Sequence, residues 1–104
     1  MFGRIGGRSA RDREVVDTLR RADKAARMGN PAAAAREQAA AAAILRQLVA
    51  AEPDDAQPGH RLGATLYALG RSLTAAGRPD EAVDALDEAE DTYLALPRGP
   101  AVAD

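Results

Sequence analysis

The sequence predicts an all-α domain of four helices, arranged as two antiparallel helical hairpins stacked on each other. Glycine and proline residues divide the chain into four segments of helical length, and apolar residues recur within these segments every three or four positions. Alanine, which has the highest helix propensity of all residues, supplies 26 of the 104 positions. Because no segment alternates apolar and polar residues, we expect no strands, and a chain of this length holds one domain.

The first hairpin is predicted to occupy residues 10–51. Ser9 is a suitable N-cap for its first helix, and residues 1–9 are expected to be a flexible N-terminus. Gly29 suits the end of this helix, because glycine accepts the left-handed conformation that commonly follows a helix. Pro31, preceded by an asparagine that can act as N-cap, suits the first position of the second helix.

The second hairpin is predicted to occupy residues 56–96, followed by residues 97–104 as a flexible tail. Pro58 is tolerated in the first turn of a helix, so the third helix starts close to it and ends before Gly77. Pro79 then starts the fourth helix. Each helix has one apolar face. The third carries Leu62, Leu66, Leu69 and Leu73, and the fourth carries Ala82, Leu86, Ala89, Tyr93 and Leu96.

Charge is divided unevenly along the chain, although the formal net charge is -2. Residues 1–50 carry ten Arg and Lys against five Asp and Glu, whereas residues 51–104 carry four against eleven. Such polarity can hold the halves together, order a head-to-tail dimer, or present a basic and an acidic face to partners. Nucleic-acid binding through the basic half is an alternative. It is disfavoured because the half lacks interleaved aromatic residues and the chain has a pI of about 5.4.

The two hairpins repeat each other with a separation of 48 residues. Aligning residues 27–34 on residues 75–82 matches a glycine, a proline and an alanine: Gly29 with Gly77, Pro31 with Pro79, and Ala34 with Ala82. The stretch LYALGRSLTAAGRPDEAVDALDEA, residues 66–89, resembles the tetratricopeptide repeat (TPR) family. The matching positions are Leu66 for the aromatic residue, Leu69 and Gly70 for the Leu-Gly pair, Leu73 for the tyrosine, Gly77 for the turn, and Ala82 and Ala89 for the small residues of the second helix. The first hairpin matches less well, because Arg21 and Ala22 replace the Leu-Gly pair.

The resemblance implies a fragment of a right-handed TPR-like solenoid and a non-enzymatic role in protein–protein interaction. The separation of 48 exceeds the usual period of about 34 and is similar to the longer repeats of bacterial regulators and kinesin light chains. In this family the inner helices line a groove that holds a partner peptide or helix. The corresponding positions are Val16, Leu19, Arg20, Asp23 and Arg27 on the first inner helix and Ala64, Tyr67, Arg71 and Thr74 on the second.

On this basis Tyr67 is expected to anchor the partner, while Arg27 and Arg71 supply charge-assisted hydrogen bonds. Equally, Tyr67 and Leu19 could fill the space between the hairpins, and the sequence leaves both interpretations open. Two repeats leave an apolar end uncovered, so we expect a homodimer formed through an isologous contact between helix faces. The alternatives are a purely structural self-assembly domain, and an adaptor that folds well only when its partner is bound.

The sequence offers no catalytic site and no site for a metal or cofactor. It has no cysteine, and His60 is its single histidine, with no carboxylate at ligand spacing on the same helix. Carboxylate pairs such as Asp80 and Asp84 belong to a solvated helix face. No apolar run approaches the roughly 18 residues that cross a bilayer, and the first residues lack the apolar run of a secretory signal. We therefore expect no membrane partner and a cytoplasmic location.

Overall fold

The computed structural model describes the backbone of residues 2–97 and the side chains of residues 10–97. This part of the chain is all-helical and contains no strand, which confirms the all-α class of the prediction. The four helices are α1 (Phe2–Arg27), α2 (Pro31–Ala51), α3 (Ala56–Ala75) and α4 (Pro79–Leu94). Most of the predicted C-terminal tail, residues 98–104, lies outside the described residues.

The start of α1 differs from the prediction. The helix begins at Phe2, so the backbone of residues 2–9 continues α1, and Ser9 lies inside the helix rather than at its N-cap. The physical reason is that an N-cap residue favours a helix start without blocking a helix that comes through it. The glycines of this stretch each cost about 1 kcal/mol of helix propensity, and the stretch holds no proline to end the helix.

The two hairpin turns have the same backbone geometry. Gly29 and Gly77 have positive φ angles of 72° and 77°, which glycine adopts without the steric cost that other residues meet. At each turn the amide of the next residue donates to a carbonyl five positions back, at 2.9 Å for Asn30 and 2.8 Å for Arg78. The glycine amide donates to a carbonyl three positions back, at 3.1 Å in both turns. Both turns are therefore Schellman motifs, as the paired glycines of the sequence indicate.

The predicted helix starts are confirmed at the other three helices. The Asn30 side chain accepts a hydrogen bond from the Ala33 amide at 3.1 Å, with proline at the first position of α2. The Asp55 carboxylate caps α3 by accepting from the Gln57 amide at 3.0 Å. At α4 no side chain caps the helix, which starts with the predicted Pro79 and two acidic residues that suit its dipole.

Each helix packs on the next in chain order, and ion pairs relate alternate helices. Asp12 of α1 pairs with Arg61 of α3 at 3.5 Å, and Arg46 of α2 pairs with Glu88 of α4 at 2.7 Å. The helices therefore alternate between two layers, in agreement with a smallest molecular dimension of 21 Å, about two helix diameters. The core between the layers contains Val15, Leu45, Leu48, Leu62, Leu66, Leu69, Leu73 and several buried alanines.

The buried face of α4 is rotated from the predicted face. It consists of three alanines, Ala82, Ala85 and Ala89. Leu86 and Tyr93, which were expected in the core, are 36% and 42% exposed because they lie over the glycines of α3. A Cβ atom on Gly70 would be 2.6 Å from Leu86 Cδ2, and one on Gly63 would be 2.6 Å from Tyr93 Cζ. The glycines therefore let α3 and α4 approach closely, and they leave these two large side chains at the surface.

Candidate partner-binding surface

The nine residues predicted to bind a partner lie on α1 and α3. Eight of the nine are exposed, and Leu19 is half-buried against the core: the exposed ones are Val16, Arg20, Asp23, Arg27, Ala64, Tyr67, Arg71 and Thr74. Tyr67 is 56% exposed, so it does not fill the space between the hairpins. The structure therefore decides the alternative that the sequence leaves open for Tyr67. Leu19 does contribute to the packing between helices.

A groove between α1 and α3 brings two of the predicted residues together. This inner groove has a volume of about 560 Å³, and Asp23 and Arg71 line it. Three alanines complete much of its wall: Ala26 of α1 and Ala68 and Ala75 of α3. Because alanine side chains are short, another backbone can come close to these helices. The two charges of opposite sign give the groove an acidic and a basic group.

Gln38 of α2 lines the same groove and is a residue that the predicted set lacks. Its side chain is buried, with 8% of the residue exposed, and Oε1 has no hydrogen-bond donor. An unsatisfied buried acceptor is rare in proteins and costs about 1–3 kcal/mol. The sequence signal for Gln38 is its position, since it lies on the α2 face that also carries the buried Ala34, Ala41 and Leu45. A polar residue that the helical spacing places on a buried apolar face could therefore have identified Gln38.

The remaining charges of α1 form a separate patch near the end of the helix. Arg20, Lys24 and Arg27 surround Asp23 and the exposed Met28. Arg27 donates to the Asp23 carboxylate at 2.8 Å, which neutralises part of this charge. Of the other arginines that could bind phosphates, Arg21 is engaged too. It donates to Thr18 Oγ1 at 3.0 Å and to Glu37 Oε1 at 3.3 Å, which joins α1 to α2.

Tyr67 and Thr74 face away from the inner groove. They lie beside Leu86 in a second groove, between α3 and α4, with a volume of about 330 Å³. Arg71 and Ala75 line both grooves. The predicted docking surface of Leu19, Arg27, Tyr67 and Arg71 is therefore divided between different sides of the molecule. The sequence places each residue on the correct helix, but it does not show which helix faces meet.

A third groove, between α2 and α4, was missed by sequence reasoning. Leu66, Leu69 and Leu73 form its apolar floor, and its volume is about 350 Å³. Arg46 closes one side by donating two hydrogen bonds to the Glu88 carboxylate, at 2.7 and 2.8 Å. These hydrogen bonds hold the pKa of the Glu88 carboxyl below its ordinary value of 4.5 and raise the pKa of Arg46. The pair ties α2 to α4 rather than leaving an open binding site.

The described residues contain no group of three or more His, Cys, Asp and Glu side chains that could hold a metal ion. His60 is exposed, and its ring lies 6.2 Å from that of Tyr93 in an edge-to-face arrangement. None of the helices in the described part of the chain is long and apolar enough to cross a membrane. Comparison with protein-family models, with curated proteins and with solved structures finds no match to this chain.

Proposed function

We propose that this protein is a non-enzymatic protein–protein interaction module, related in design to TPR proteins, that docks a partner peptide in its inner groove. The observation that carries the proposal is the Oε1 atom of Gln38, a buried acceptor without a donor beside an open groove. Buried polar atoms are almost always hydrogen-bonded, so this acceptor needs an explanation. Oε1 is itself screened from solvent, and a rotation of the terminal amide toward the groove would bring it to the N–H of a docked peptide.

The lining of the inner groove defines the chemistry of the partner. Ala26, Ala68 and Ala75 admit a backbone at close range, so the docked segment is an extended peptide or a helix with small residues at the contact. Arg71 has no ion pair among the described residues and can bind a carboxylate with two hydrogen bonds. Asp23 already pairs with Arg27 at 2.8 Å, so a lysine or arginine of the partner would share that carboxylate. The partner segment therefore carries an acidic residue for Arg71 and a small residue at the alanine wall.

Two further features support a TPR-like arrangement. The hairpin turns at Gly29 and Gly77 share one geometry at a separation of 48 residues, and the helices alternate between two layers. In that arrangement α1 and α3 are the inner helices, and the groove between them is the surface with which such proteins bind partners.

A peptide-display selection against the full chain tests the proposal. Enriched peptides are then titrated against wild type, Gln38→Leu and Asp23→Asn by fluorescence anisotropy. Because a net hydrogen bond is worth about 0.5–1.5 kcal/mol, each variant should raise the Kd by roughly 2-fold to 10-fold. Gln47→Leu is the matched control, since Gln47 lies on the same helix and is exposed. The proposal fails if no peptide is enriched, or if the groove variants bind the enriched peptides as wild type does.

A further inference from the structure

The outer side of α4 carries a stripe of large apolar residues, interrupted by one glutamate, that nothing in the described chain covers. Val83, Leu86, Glu90 and Tyr93 follow one another at intervals of three and four residues, the spacing with which one helix packs on another. Val83 is 55% exposed and the adjacent Leu94 is 79% exposed. Large apolar residues that are exposed together, rather than singly, mark an interaction surface.

The stripe continues onto α3. Gly63, Tyr67 and Gly70 share one face of α3, and the two glycines are covered by Tyr93 and Leu86. The half-exposed ring of Tyr67 lies between them along the helix. We call the resulting surface the end face: Tyr67, Val83, Leu86, Glu90, Tyr93 and Leu94. Because the glycines have no side chains, Leu86 and Tyr93 lie close against α3, and the surface is flatter as a result.

The internal repeat shows what such a face is built to receive. The residues of α2 that lie 48 positions before the α4 stripe are Ala35, Gln38, Ala42 and Leu45, and all four are buried. They contribute to the surface on which α3 packs. The first hairpin therefore covers with α3 the surface that the second hairpin leaves exposed. The end face therefore corresponds to a surface on which a helix packs, and no helix of the described chain covers it.

We propose that a second copy of this chain covers the end face, through the same face and about a twofold axis. Charge supports this occupant, because the surface carries free groups of both signs. Arg71 lies beside Leu86, Glu90 lies within the stripe, and neither forms an ion pair among the described residues. The exposed Asp87, one turn after Val83, adds a second acidic group at the edge of the stripe. A face that carries a cation and an anion can pair each with the other under a twofold rotation.

The register of α3 against α4 allows both pairs to form at once. The two helices are antiparallel, and their register is fixed by two contacts: Gly70 with Leu86 and Gly63 with Tyr93. In this register Arg71 is level with Ala85, about 7.5 Å along the axis from Glu90. A twofold axis midway between the levels of Ala85 and Glu90 exchanges these two levels. Arg71 of each copy then lies beside Glu90 of the second copy.

The other end of the molecule is a poor alternative occupant. The positions of α1 equivalent to Leu62 and Leu69 of α3 are Glu14 and Arg21, and both are exposed. Head-to-tail stacking would press Glu14 and the pair of Arg21 with Glu37 against the apolar end face, and burying charge against an apolar surface is costly. A contact between two end faces instead buries apolar surface against apolar surface. It also closes at two copies, whereas head-to-tail stacking continues into longer assemblies.

Light scattering coupled to size exclusion tests the proposal on the full chain, from about 1 μM to about 1 mM. Wild type is expected at twice the chain mass of 10.8 kDa at the upper concentrations. The double variant Val83→Lys, Leu94→Lys should raise the dimer Kd at least about 100-fold, because it places four ammonium groups in the contact. Met28→Lys is the matched control, since Met28 is 74% exposed and lies outside the end face. A monomer at every concentration, growth beyond two copies, or a dimer that the double variant leaves intact each overturns the proposal.

Charge reversal identifies the second copy as the occupant. Arg71→Glu and Glu90→Arg, each alone, place like charges opposite each other twice in the dimer and should raise its Kd about 10-fold or more. Mixing the two variants should restore the dimer, because one chain then carries two acidic groups and the other two basic groups. Neither substitution removes an ion pair within the described chain. A mixture as weakly associated as the separate variants overturns the pairing. Arg71 also lines the inner groove, so Glu90→Arg and the Val83→Lys, Leu94→Lys double variant, whose residues lie outside that groove, separate self-association from peptide binding.

Discussion

Replacing Gln38 by leucine should stabilise the protein, which is unusual for a buried position. The Oε1 atom has no donor, and leaving a buried acceptor unsatisfied costs about 1–3 kcal/mol. Leucine removes that acceptor, has nearly the same helix propensity as glutamine, and adds apolar surface beside the buried alanines of α2. We expect the free energy of unfolding to rise by about 1–3 kcal/mol. For a domain of this size the melting temperature then rises by at least about 4 °C.

The assay is urea unfolding followed by far-UV circular dichroism. The transition midpoint should move to higher urea with an unchanged m value, because the surface exposed on unfolding stays nearly the same. The control Gln47→Leu changes an exposed residue of the same helix and should stay within about 0.5 kcal/mol of wild type. A Gln38→Leu variant less stable than wild type would refute the reasoning, since it would show that the amide is satisfied. A stabilised variant that still binds its peptide would refute the proposed function and leave the account of burial intact.

Other predictions follow from the core, the glycine contacts and the ion pair between helices. Leu45→Ala removes a fully buried side chain and should lower the free energy of unfolding by about 2–5 kcal/mol, as measured by urea unfolding. Gly70→Ala should destabilise by about 1–3 kcal/mol despite the better helix propensity of alanine, because the new Cβ would be 2.7 Å from Leu86 Cγ and 3.4 Å from the Ala82 carbonyl oxygen; a stabilised variant in thermal unfolding would contradict this contact. Glu88 has a lowered pKa in the folded state, so its pairing with Arg46 contributes stability above pH 4.5 that is lost as the pH falls through the folded pKa. Glu88→Gln should lower stability at neutral pH by at most about 1 kcal/mol, since the pair is partly exposed, and should flatten the loss of stability on acidification below that pH.

The elements that the sequence predicts well are those fixed by local chemistry. Gly29 and Gly77 end α1 and α3 because the chain needs a left-handed residue there, and the Asn30 side chain caps α2. Each of these features acts within about five residues, so a pattern in the sequence is enough. The start of α1 was missed because nothing local compels it. Ser9 is compatible with a helix start, but α1 begins at Phe2 and continues past Ser9.

The surface is harder to predict, because it depends on which helix faces meet. Tyr67 and Arg71 are one helical turn apart, and the sequence places both on the inner side of α3. In the structure Arg71 reaches the inner groove, while Tyr67 lies toward α4. The cause is the close crossing of α3 and α4 at Gly63 and Gly70, which rotates α4 until its alanines face the core. The glycines are visible in the sequence, but the side chains that cover them come from another helix.

The two hairpins share one register but differ in the size of the residues on the packing face, and this difference bears on how firmly the end face is covered. On α2 the positions that receive α3 include Ala35 and Ala42, whereas their counterparts on α4 are Val83 and Glu90. Helices pack at interaxial distances of about 8–10 Å, set by the side chains at the contact, so a helix on α4 sits farther out than α3 sits on α2. The contact of such a helix is therefore looser. Its association also loses translational and rotational freedom, a cost that α3 avoids because it is covalently linked to α2. We therefore expect a second copy bound in this way to be in reversible equilibrium with the single chain, and the apparent stability of the protein to rise with its own concentration.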